Sequence, residues 1–247
     1  MLKNKIIYCP IILLAIFVVY LYTANAYIYY RIGQGHLSEP IHKELPMNNN
    51  NIGETIYVSL GDSLTAGAGA TSYEETYPYL LATKMSDAGD NIVLKNFSTS
   101  GYKTQDLIDV WLDKAIAAKP DVVTVLIGVN DIHNHVGKNQ FKKNYQYILD
   151  RLTKETNATV YLINIPYIGS KSIIVPPLDY YFETETNEYN KIIKALAIQY
   201  DVKYIDLKTP TKELFKTDGS HYSVDSFHPS AYGYKLWANL IYDSINK

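Results

Sequence analysis

The sequence lacks the features that mark several large classes of protein. It has one cysteine, Cys9, in 247 residues, so no internal disulfide can form and the fold depends on its core. It has no excess of positive charge, because the formal net charge is −2, and this argues against nucleic-acid binding. No G-x-G-x-x-G or G-x-x-x-x-G-K-[ST] loop follows a strand-like segment, which argues against nucleotide binding. What remains is a chain with 47% apolar residues, enough for one sizeable core.

A long run without charge lies at the N-terminus. Lys3 and Lys5 precede the uncharged residues 6 to 22, and further tyrosines follow. A bilayer is crossed by about 20 apolar residues, so Ile6 to about Tyr27 is predicted to span it, with the lysines inside and the rest of the chain outside the cell. The Ala-Asn-Ala sequence at positions 24 to 26 is also spaced like a signal-peptide cleavage site, so a secreted protein is the alternative.

Three regions are predicted along the chain. Residues 1–30 are the membrane anchor or signal peptide, residues 31–54 are a linker, and residues 55–247 are the folded domain. The linker shows no sustained period of either kind, and its two histidines, His36 and His42, are interpreted as solvated side chains.

Strand-like and helical patterns alternate over the third region. Because each strand-like segment is followed by a helical pattern, we expect a parallel sheet covered by helices. We also expect a helix from Gln105 to Ala118 with Thr104 as its cap. The five strand-like segments are Ile56–Leu60, Ile92–Leu94, Val122–Ile127, Val160–Ile163 and Val202–Ile205.

Residues that could take part in catalysis lie where the predicted strands end. Gly-Asp-Ser-Leu at 61 to 64 follows the first strand, Ser-Thr-Ser-Gly at 98 to 101 the second, and Gly-Val-Asn-Asp at 128 to 131 the third. Near the C-terminus, Asp-Ser-Phe-His-Pro at 225 to 229 places a carboxylate three residues before an imidazole. Ligands bind beyond the carboxyl ends of the strands in open α/β sheets. Each motif alone is an ordinary turn, but together they supply a nucleophile, a base, an acid and oxyanion donors.

The four motifs, in this order, resemble the SGNH or GDSL hydrolases over about residues 55 to 245. The family name records Ser, Gly, Asn and His, which are Ser63, Gly101, Asn130 and His228 here. The resemblance implies a flavodoxin-like three-layer α/β sandwich with a five-stranded parallel sheet, and a serine esterase activity. It implies Ser63 as nucleophile, His228 as base and Asp225 as the acid that orients it. The Ser63 and Gly101 backbone N–H groups and the Asn130 amide would then form the oxyanion hole.

Other acidic residues near these motifs are interpreted as structural. Asp62 and Asp131 adjoin the candidate positions and are expected to hold their loops through hydrogen bonds. Asp218 and His221 repeat the Asp-x-x-His spacing, but they lack the proline and the helical pattern that follow His228. We therefore expect the upstream pair to lie in a surface loop.

No metal or other cofactor is predicted. His133 and His135 form a His-x-His motif, but the sequence offers no evident third ligand.

The substrate remains open at this level because one fold serves many activities. The expected partners are acyl esters, either lipids or acylated carbohydrates. The alternatives are an O-acyltransferase or deacetylase acting on cell-wall or surface carbohydrate, and a surface binding module without catalysis. Residues 166–182 are rich in apolar side chains, and they form either an acyl-binding or membrane-touching flap or a loop packed on the core. The oligomeric state is not indicated.

Overall fold

The computed structural model describes residues 2–34, 44–46, 53–167 and 169–246. His36 and His42, and most of the predicted linker, lie outside these residues. In chain order, the elements are α1 (Leu2–Ile32), β1 (Glu44–Pro46), β2 (Glu54–Gly61), α2 (Ser63–Ala66), a 3₁₀ turn (Tyr73–Glu75), α3 (Tyr77–Asp87), β3 (Asn91–Ser98), α4 (Thr104–Leu107), a π-helical turn (Ile108–Leu112), α5 (Asp113–Ala117), β4 (Val122–Leu126), α6 (Val129–His133), α7 (Lys138–Glu155), β5 (Thr159–Ile163), α8 (Leu178–Gln199), β6 (Lys203–Ile205), α9 (Lys208–Thr217), a 3₁₀ turn (Gly219–His221) and α10 (Ala231–Ile245).

The described strands form one sheet in the order β1-β3-β2-β4-β5-β6. Strands β2 to β6 are parallel, which confirms the five-stranded parallel sheet, and their spatial order is the flavodoxin-like one. The short β1 adds an antiparallel edge beside β3, inside the segment interpreted as a linker. At three residues it is too short to show an alternating pattern. Gly61 pairs with Ser98 on one side and Leu126 on the other, so three strands end level at one edge of the sheet.

The core is built from apolar strand residues and from tyrosines, several of which have a hydrogen-bond partner for the hydroxyl. The Tyr57 and Tyr145 side chains are fully buried. The Tyr57 hydroxyl lies 2.9 Å from Thr124 Oγ1, and the Tyr145 hydroxyl donates to the Ile127 carbonyl at 2.8 Å. A buried tyrosine is tolerated when its hydroxyl has a partner, so part of the high tyrosine content belongs to the core.

The helix after β3 begins one residue earlier than expected, and it is not capped by Thr104. Lys103 is the N-cap residue and Thr104 is the first helical residue. The Thr104 backbone N–H and Oγ1 instead donate to the Asp131 carboxylate at 2.9 and 2.6 Å. The acceptor for the first helical N–H therefore comes from α6, which is distant in the chain, and local sequence cannot show this contact. In the π-helical turn that follows, Trp111 Nε1 donates to Thr99 Oγ1 at 3.0 Å.

Helix α1 has two parts with different surroundings. Pro10–Ile32 is long and apolar enough to cross a membrane, and its position near the N-terminus fits a single span or a signal sequence equally. Side chains from Ile11 to Val19 are exposed. From Tyr20 onward α1 contacts the folded domain, since the Tyr20 hydroxyl donates to the Pro176 carbonyl at 2.6 Å and Ile28 is buried in the core.

Candidate active site

Ser63 is placed by the turn that ends β2. It is the first residue of α2 and its side chain is nearly buried, at the sheet edge where β2, β3 and β4 end level. Asp62 is the N-cap residue, and its carboxylate accepts from the Leu64 N–H at 3.0 Å. This hydrogen bond agrees with the expectation that Asp62 holds its loop in place. The turn therefore fixes the Ser63 hydroxyl at the carboxyl edge of the sheet.

The structure brings Ser63, His228 and Asp225 together although 165 positions separate the serine from the histidine. His228 Nε2 lies 3.0 Å from Ser63 Oγ, and His228 Nδ1 lies 2.6 Å from Asp225 Oδ2. Asp225 is fully buried and His228 nearly so. The hydroxyl, the imidazole and the carboxylate thus form one continuous chain of hydrogen bonds.

The second carboxylate oxygen of Asp225 organises its own loop. Oδ1 accepts from Ser223 Oγ at 2.7 Å, from Phe227 N at 2.8 Å and from His228 N at 2.9 Å. Burial alone would raise the pKa of Asp225, but its hydrogen bond with His228, the charge of His228 and the bonds from Phe227 and Ser223 outweigh burial and hold the pKa below its usual range. The carboxylate is therefore ionised at neutral pH and fixed from two sides.

Gly69 allows the histidine loop to approach α2, and it lies outside the motifs that the sequence offers as candidate chemistry. A Cβ atom at this position would lie 2.5 Å from the Pro229 carbonyl and 2.9 Å from His228 Cβ, and the Gly69 φ angle is +92°. A side chain here would displace His228 from Ser63. The Gly-Ala-Gly-Ala run at 67 to 70 was the available signal, but small residues in a turn are too common to identify such a contact.

Gly101 lies in the loop that follows β3, and Asn130 lies in α6, the short helix that follows β4. Gly101 has a φ angle of +83°, in the left-handed region that favours glycine, and the space beside it is open. Asn130 Nδ2 donates to the Tyr102 carbonyl at 3.0 Å, which links α6 to the loop after β3. Asp131 strengthens the link through its bonds from Thr104. Two of the three candidate oxyanion donors, Gly101 and Asn130, therefore lie in segments that are hydrogen-bonded to each other.

Asp62 and Asp131 are also buried carboxyl groups, but neither has a basic side chain as close as His228 is to Asp225. Burial raises the pKa of Asp62 to about 7, with a smaller rise from the charge of Asp131, against the lowering effect of the Leu64 N–H. Burial likewise raises the pKa of Asp131 to about 6, against the bonds from Thr104. These shifts are opposite in direction to that of Asp225.

The two histidines of the His-x-His motif have separate surroundings. The His133 ring packs against Phe182 and Phe227, at centroid distances of 4.8 and 5.4 Å, and burial lowers its pKa to about 4, helped by the charges of His228 and His135. His135 Nδ1 lies 2.9 Å from the Tyr181 hydroxyl. Among the residues that the structure describes, no group of three or more His, Cys, Asp or Glu side chains is placed to hold a metal ion.

The upstream Asp-x-x-His pair differs from its predicted surface position. Asp218 is exposed, as expected, but His221 is 3% exposed and the prediction was wrong for it. The His221 ring packs between Phe215 and Tyr232, and its Nδ1 lies 3.2 Å from the Asp218 carbonyl oxygen. His221 therefore contributes to packing between α9 and α10.

The segment from 166 to 182, of which residue 168 lies outside the described chain, is packed on the core in part and exposed in part. Ile173 and Ile174 are buried in the core. Tyr180 is 76% exposed and Pro176 accepts the bond from Tyr20 of α1. The Ser170 N–H donates to the Ser226 carbonyl at 2.8 Å, so the segment also contacts the loop that carries Asp225. The segment is therefore packed on the core through Ile173 and Ile174, and Pro176 and Tyr180 form an exposed rim beside α1.

Comparison with known proteins gives consistent results. Residues 59–236 match the family described as GDSL-like lipase/acylhydrolase. The chain is 27% identical over 209 residues to the spore germination lipase LipC of Bacillus licheniformis, covering 75% of this chain and 93% of that one. It is 26% identical over 190 residues to an acetylxylan esterase of Geobacillus stearothermophilus, covering 72% and 83%.

Solved structures show the same fold. The crystal structure of the acetyl xylan esterase AlAXEase has a TM-score of 0.63 and 25% identity, and the match covers 77% of this chain and 99% of that one. A lipase/acylhydrolase from Enterococcus faecalis has a TM-score of 0.65 and 23% identity, with 77% and 95% covered. With the family match spanning most of its length, the chain belongs to the GDSL-like lipase/acylhydrolase family and is a carboxylic ester hydrolase.

Proposed function

We propose that Ser63, His228 and Asp225 are the catalytic triad of this esterase. The observation that carries the proposal is the hydrogen-bond chain of 3.0 Å from Ser63 to His228 and 2.6 Å from His228 to Asp225. With Asp225 ionised, Nδ1 of the neutral imidazole donates to the carboxylate, and Nε2 is left to accept the Ser63 proton. The imidazolium that forms is stabilised by the buried carboxylate.

Ester cleavage then proceeds in two steps. Ser63 Oγ attacks the ester carbonyl as His228 takes its proton, and the tetrahedral intermediate collapses with proton transfer from His228 to the departing alcohol. A water molecule, activated by His228 in the same way, attacks the acyl-enzyme and releases the carboxylic acid. The net change is one ester and one water converted to an acid and an alcohol.

The oxyanion of each intermediate is proposed to be held by the Ser63 and Gly101 N–H groups and the Asn130 side chain. Asn130 Nδ2 has two hydrogens, and the bond to the Tyr102 carbonyl uses one of them. The second is available for the substrate. Because removing one such donor typically costs about 3 to 4 kcal/mol of transition-state stabilisation, Asn130→Ala should lower kcat by roughly 10²- to 10³-fold.

The substrate is proposed to be an acyl ester of a lipid or of a surface carbohydrate. The relatives support both classes, since one is named a lipase and another an acetylxylan esterase. An O-acyltransferase would use the same three residues but pass the acyl group to a sugar hydroxyl in place of water.

The test uses full-length protein in detergent, with p-nitrophenyl esters of graded chain length and acetylated xylan as substrates. Wild type should hydrolyse at least one substrate and bind a fluorophosphonate probe. Ser63→Ala should do neither, and the exposed-serine control Ser72→Ala should behave as wild type. Equal labelling of wild type and Ser63→Ala would refute the triad. Turnover that depends on an added sugar acceptor would show the transferase, and a folded protein that neither binds the probe nor turns over any of these substrates would favour a binding module.

We also propose that α1 is retained as a single span with the hydrolase domain outside the cell. The domain contacts α1 from Tyr20 onward, so the uncharged part of the helix before this contact runs from Ile6 to Val19. Its 14 residues extend about 21 Å at 1.5 Å per residue, less than the ~30 Å hydrocarbon core. To cross the bilayer, the span must therefore include residues of α1 beyond Val19, where the helix contacts the domain. This would place Pro176 and Tyr180 at the membrane interface, beside exposed tyrosines of α1.

Cell fractionation and external protease treatment test the span. The full-length chain should remain with the membrane and be cleaved from outside. A mature N-terminus at Tyr27 in the medium would show a cleaved signal peptide instead.

A further inference from the structure

The end of α1 contacts the loop that carries Asp225 and His228. The Arg31 side chain reaches this loop, where its Nη2 atom donates to the Val224 carbonyl at 2.5 Å and to Ser226 Oγ at 3.1 Å. The two acceptors flank Asp225 on either side along the chain. A single guanidinium nitrogen therefore fastens both ends of the short segment centred on the carboxylate.

This loop needs support from outside itself. Ser226 has a φ angle of +62°, a left-handed conformation that non-glycine residues rarely adopt. The turn that it makes lets the N–H groups of Phe227 and His228 both donate to Asp225. Such a conformation persists when surrounding contacts determine it, and the Ser170 N–H and Arg31 provide those contacts from two other segments.

Arg31 is itself held in place by the neighbouring turn of α1. Ile28 is 1% exposed and belongs to the core, and the Tyr29 ring lies edge-on to His133 at 6.4 Å. The Tyr27 hydroxyl also accepts from Arg31 Nη1 at 3.1 Å, but this bond is exposed and lies outside the Asp225 and His228 loop. The last turns of α1 are therefore packed as part of the hydrolase domain, and Arg31 projects from a fixed backbone.

We propose that Arg31 is a positioning residue for the Asp225 and His228 loop, so that the end of α1 supports the active site. The inference rests on the proposed function of those two residues. Arg31 acts through Val224 and Ser226, and it keeps the carboxylate aligned with the imidazole. Small displacements of a catalytic group lower turnover steeply. The hydrogen bonds given for Arg31 go to Tyr27, Val224 and Ser226 and not to Ser63 or the candidate oxyanion donors, so we expect the effect in kcat and not in KM.

The first test measures kcat and KM of the full chain in detergent with p-nitrophenyl butyrate. Arg31→Ala should lower kcat by roughly tenfold and leave KM within about twofold, since the two hydrogen bonds that it removes from the loop come from a charged donor. Arg31→Lys should restore most of the activity, because one nitrogen makes both loop contacts and an ammonium group offers three donors. The matched control Tyr27→Phe removes the third Arg31 contact, spares the other two and should keep wild-type kcat.

A second test follows the loop without using turnover. Amide hydrogen exchange of residues 222–228 should be faster in Arg31→Ala than in wild type or Tyr27→Phe. In a Ser226→Ala background, which already lacks one acceptor, the further effect of Arg31→Ala on kcat should be smaller than in wild type.

Wild-type kcat together with wild-type exchange in Arg31→Ala would overturn the proposal. A fall in kcat that Lys does not restore, and that only accompanies a lower Tm, would make Arg31 a general stabilising residue and would overturn it as well. Failure of the proposed function is separate, because it would show as Ser63-independent turnover, and the exchange measurement would still judge the role of Arg31.

Discussion

Two Asp-x-x-His pairs lie seven residues apart in this chain, and their identical spacing leads to different environments. The Asp225 side chain is fully buried, with Oδ2 2.6 Å from His228 Nδ1. The Asp218 side chain is 52% exposed, with Oδ2 3.5 Å from His221 Nδ1. His228 also faces Ser63 at 3.0 Å, whereas the His221 ring packs against aromatic side chains.

The comparison shows that burial of the imidazole does not distinguish the two pairs. His221 and His228 are both almost completely buried. The difference lies in the carboxylate, since Asp225 receives three hydrogen bonds on Oδ1 and presents Oδ2 to the imidazole. Asp218 uses its Oδ1 to accept from the Ser220 N–H, which shapes a local turn. The Asp-x-x-His spacing brings a carboxylate near an imidazole, and the hydrogen bonds of the loop decide whether that carboxylate orients the imidazole or shapes a local turn.

The largest expected effect comes from removing one histidine or the other. His228→Ala should lower kcat by on the order of 10⁴-fold or more, because the base that accepts the Ser63 proton is lost. His221→Ala should keep most of its activity per folded molecule, at a stability cost of about 3 kcal/mol from the cavity. His221→Phe preserves the packing and serves as the folded control. Ester hydrolysis and thermal unfolding provide the measurements, and an inactive, folded His221→Phe would reverse the assignment.

The next effect separates the two carboxylates. Asp225→Asn should lower kcat by about 10³- to 10⁴-fold, because the amide favours the wrong imidazole tautomer and cannot stabilise the imidazolium. Asp218→Asn should stay within about twofold of wild type, since its side chain reaches solvent and a turn N–H. Steady-state kinetics at pH 7 to 8 measure both. Equal losses in the two variants would remove the distinction between the pairs.

A third prediction contrasts Asp225 with Asp62, which is buried without an imidazole. The pKa of Asp62 rises from 3.8 to about 7, so the folded state keeps a proton that the unfolded chain has released. Stability should therefore fall as pH rises from 3.8 to about 7, by an amount on the order of a few kcal/mol. Asp62→Asn should weaken this decline in urea unfolding, with the exposed Asp87→Asn as control. An unchanged pH dependence in Asp62→Asn would contradict the prediction.

The smallest expected effect tests how redundant the support of Asp225 is. Ser223→Ala removes one of the three hydrogen bonds to Oδ1 and leaves the two backbone donors. We expect a loss in kcat of about tenfold or less, since a bond to a charged group contributes about 1.5 to 3 kcal/mol and the remaining donors compensate in part. Kinetics beside Ser220→Ala measure the difference, because Ser220 donates to Asp218 through its backbone N–H and this substitution keeps that bond. A loss as large as that of Asp225→Asn would show that the serine bond alone aligns the carboxylate.

The parallel sheet was predictable because its strands are buried, continuous apolar segments separated by helical patterns. The antiparallel β1 was not, since Glu44–Pro46 offers no pattern at that length. The packing of α1 on the domain was also missed. An apolar helix suited to lipid has no polar face, so its sequence does not show which side contacts protein.

The candidate site was predictable where chemistry required particular side chains in sequence order. Ser63, Asp225 and His228 could be selected on that ground. The supporting contacts of Gly69 and Arg31 could not, because both depend on how distant segments approach each other. Local sequence also predicted Thr104 as the cap of α4, whereas the Asp131 carboxylate of α6 accepts the hydrogen bonds from Thr104.

The π-helical turn Ile108–Leu112 implies that the helix from 104 to 117 has a required rotational phase. Such a turn holds one residue more than an α-helical path, and each α-helical residue rotates the chain by about 100°. The turn therefore sets the angle about the helix axis between the Thr104 and Trp111 side chains. Thr104 donates to Asp131, and Trp111 donates to Thr99. Deleting one residue here would give a regular helix, yet it would rotate one of these contacts away from its partner. The helix therefore acts as a spacer between the segment after β3, which carries Thr99, and the segment after β4, which carries Asp131. Its rotation about the helix axis matters for their relative position as much as its length does.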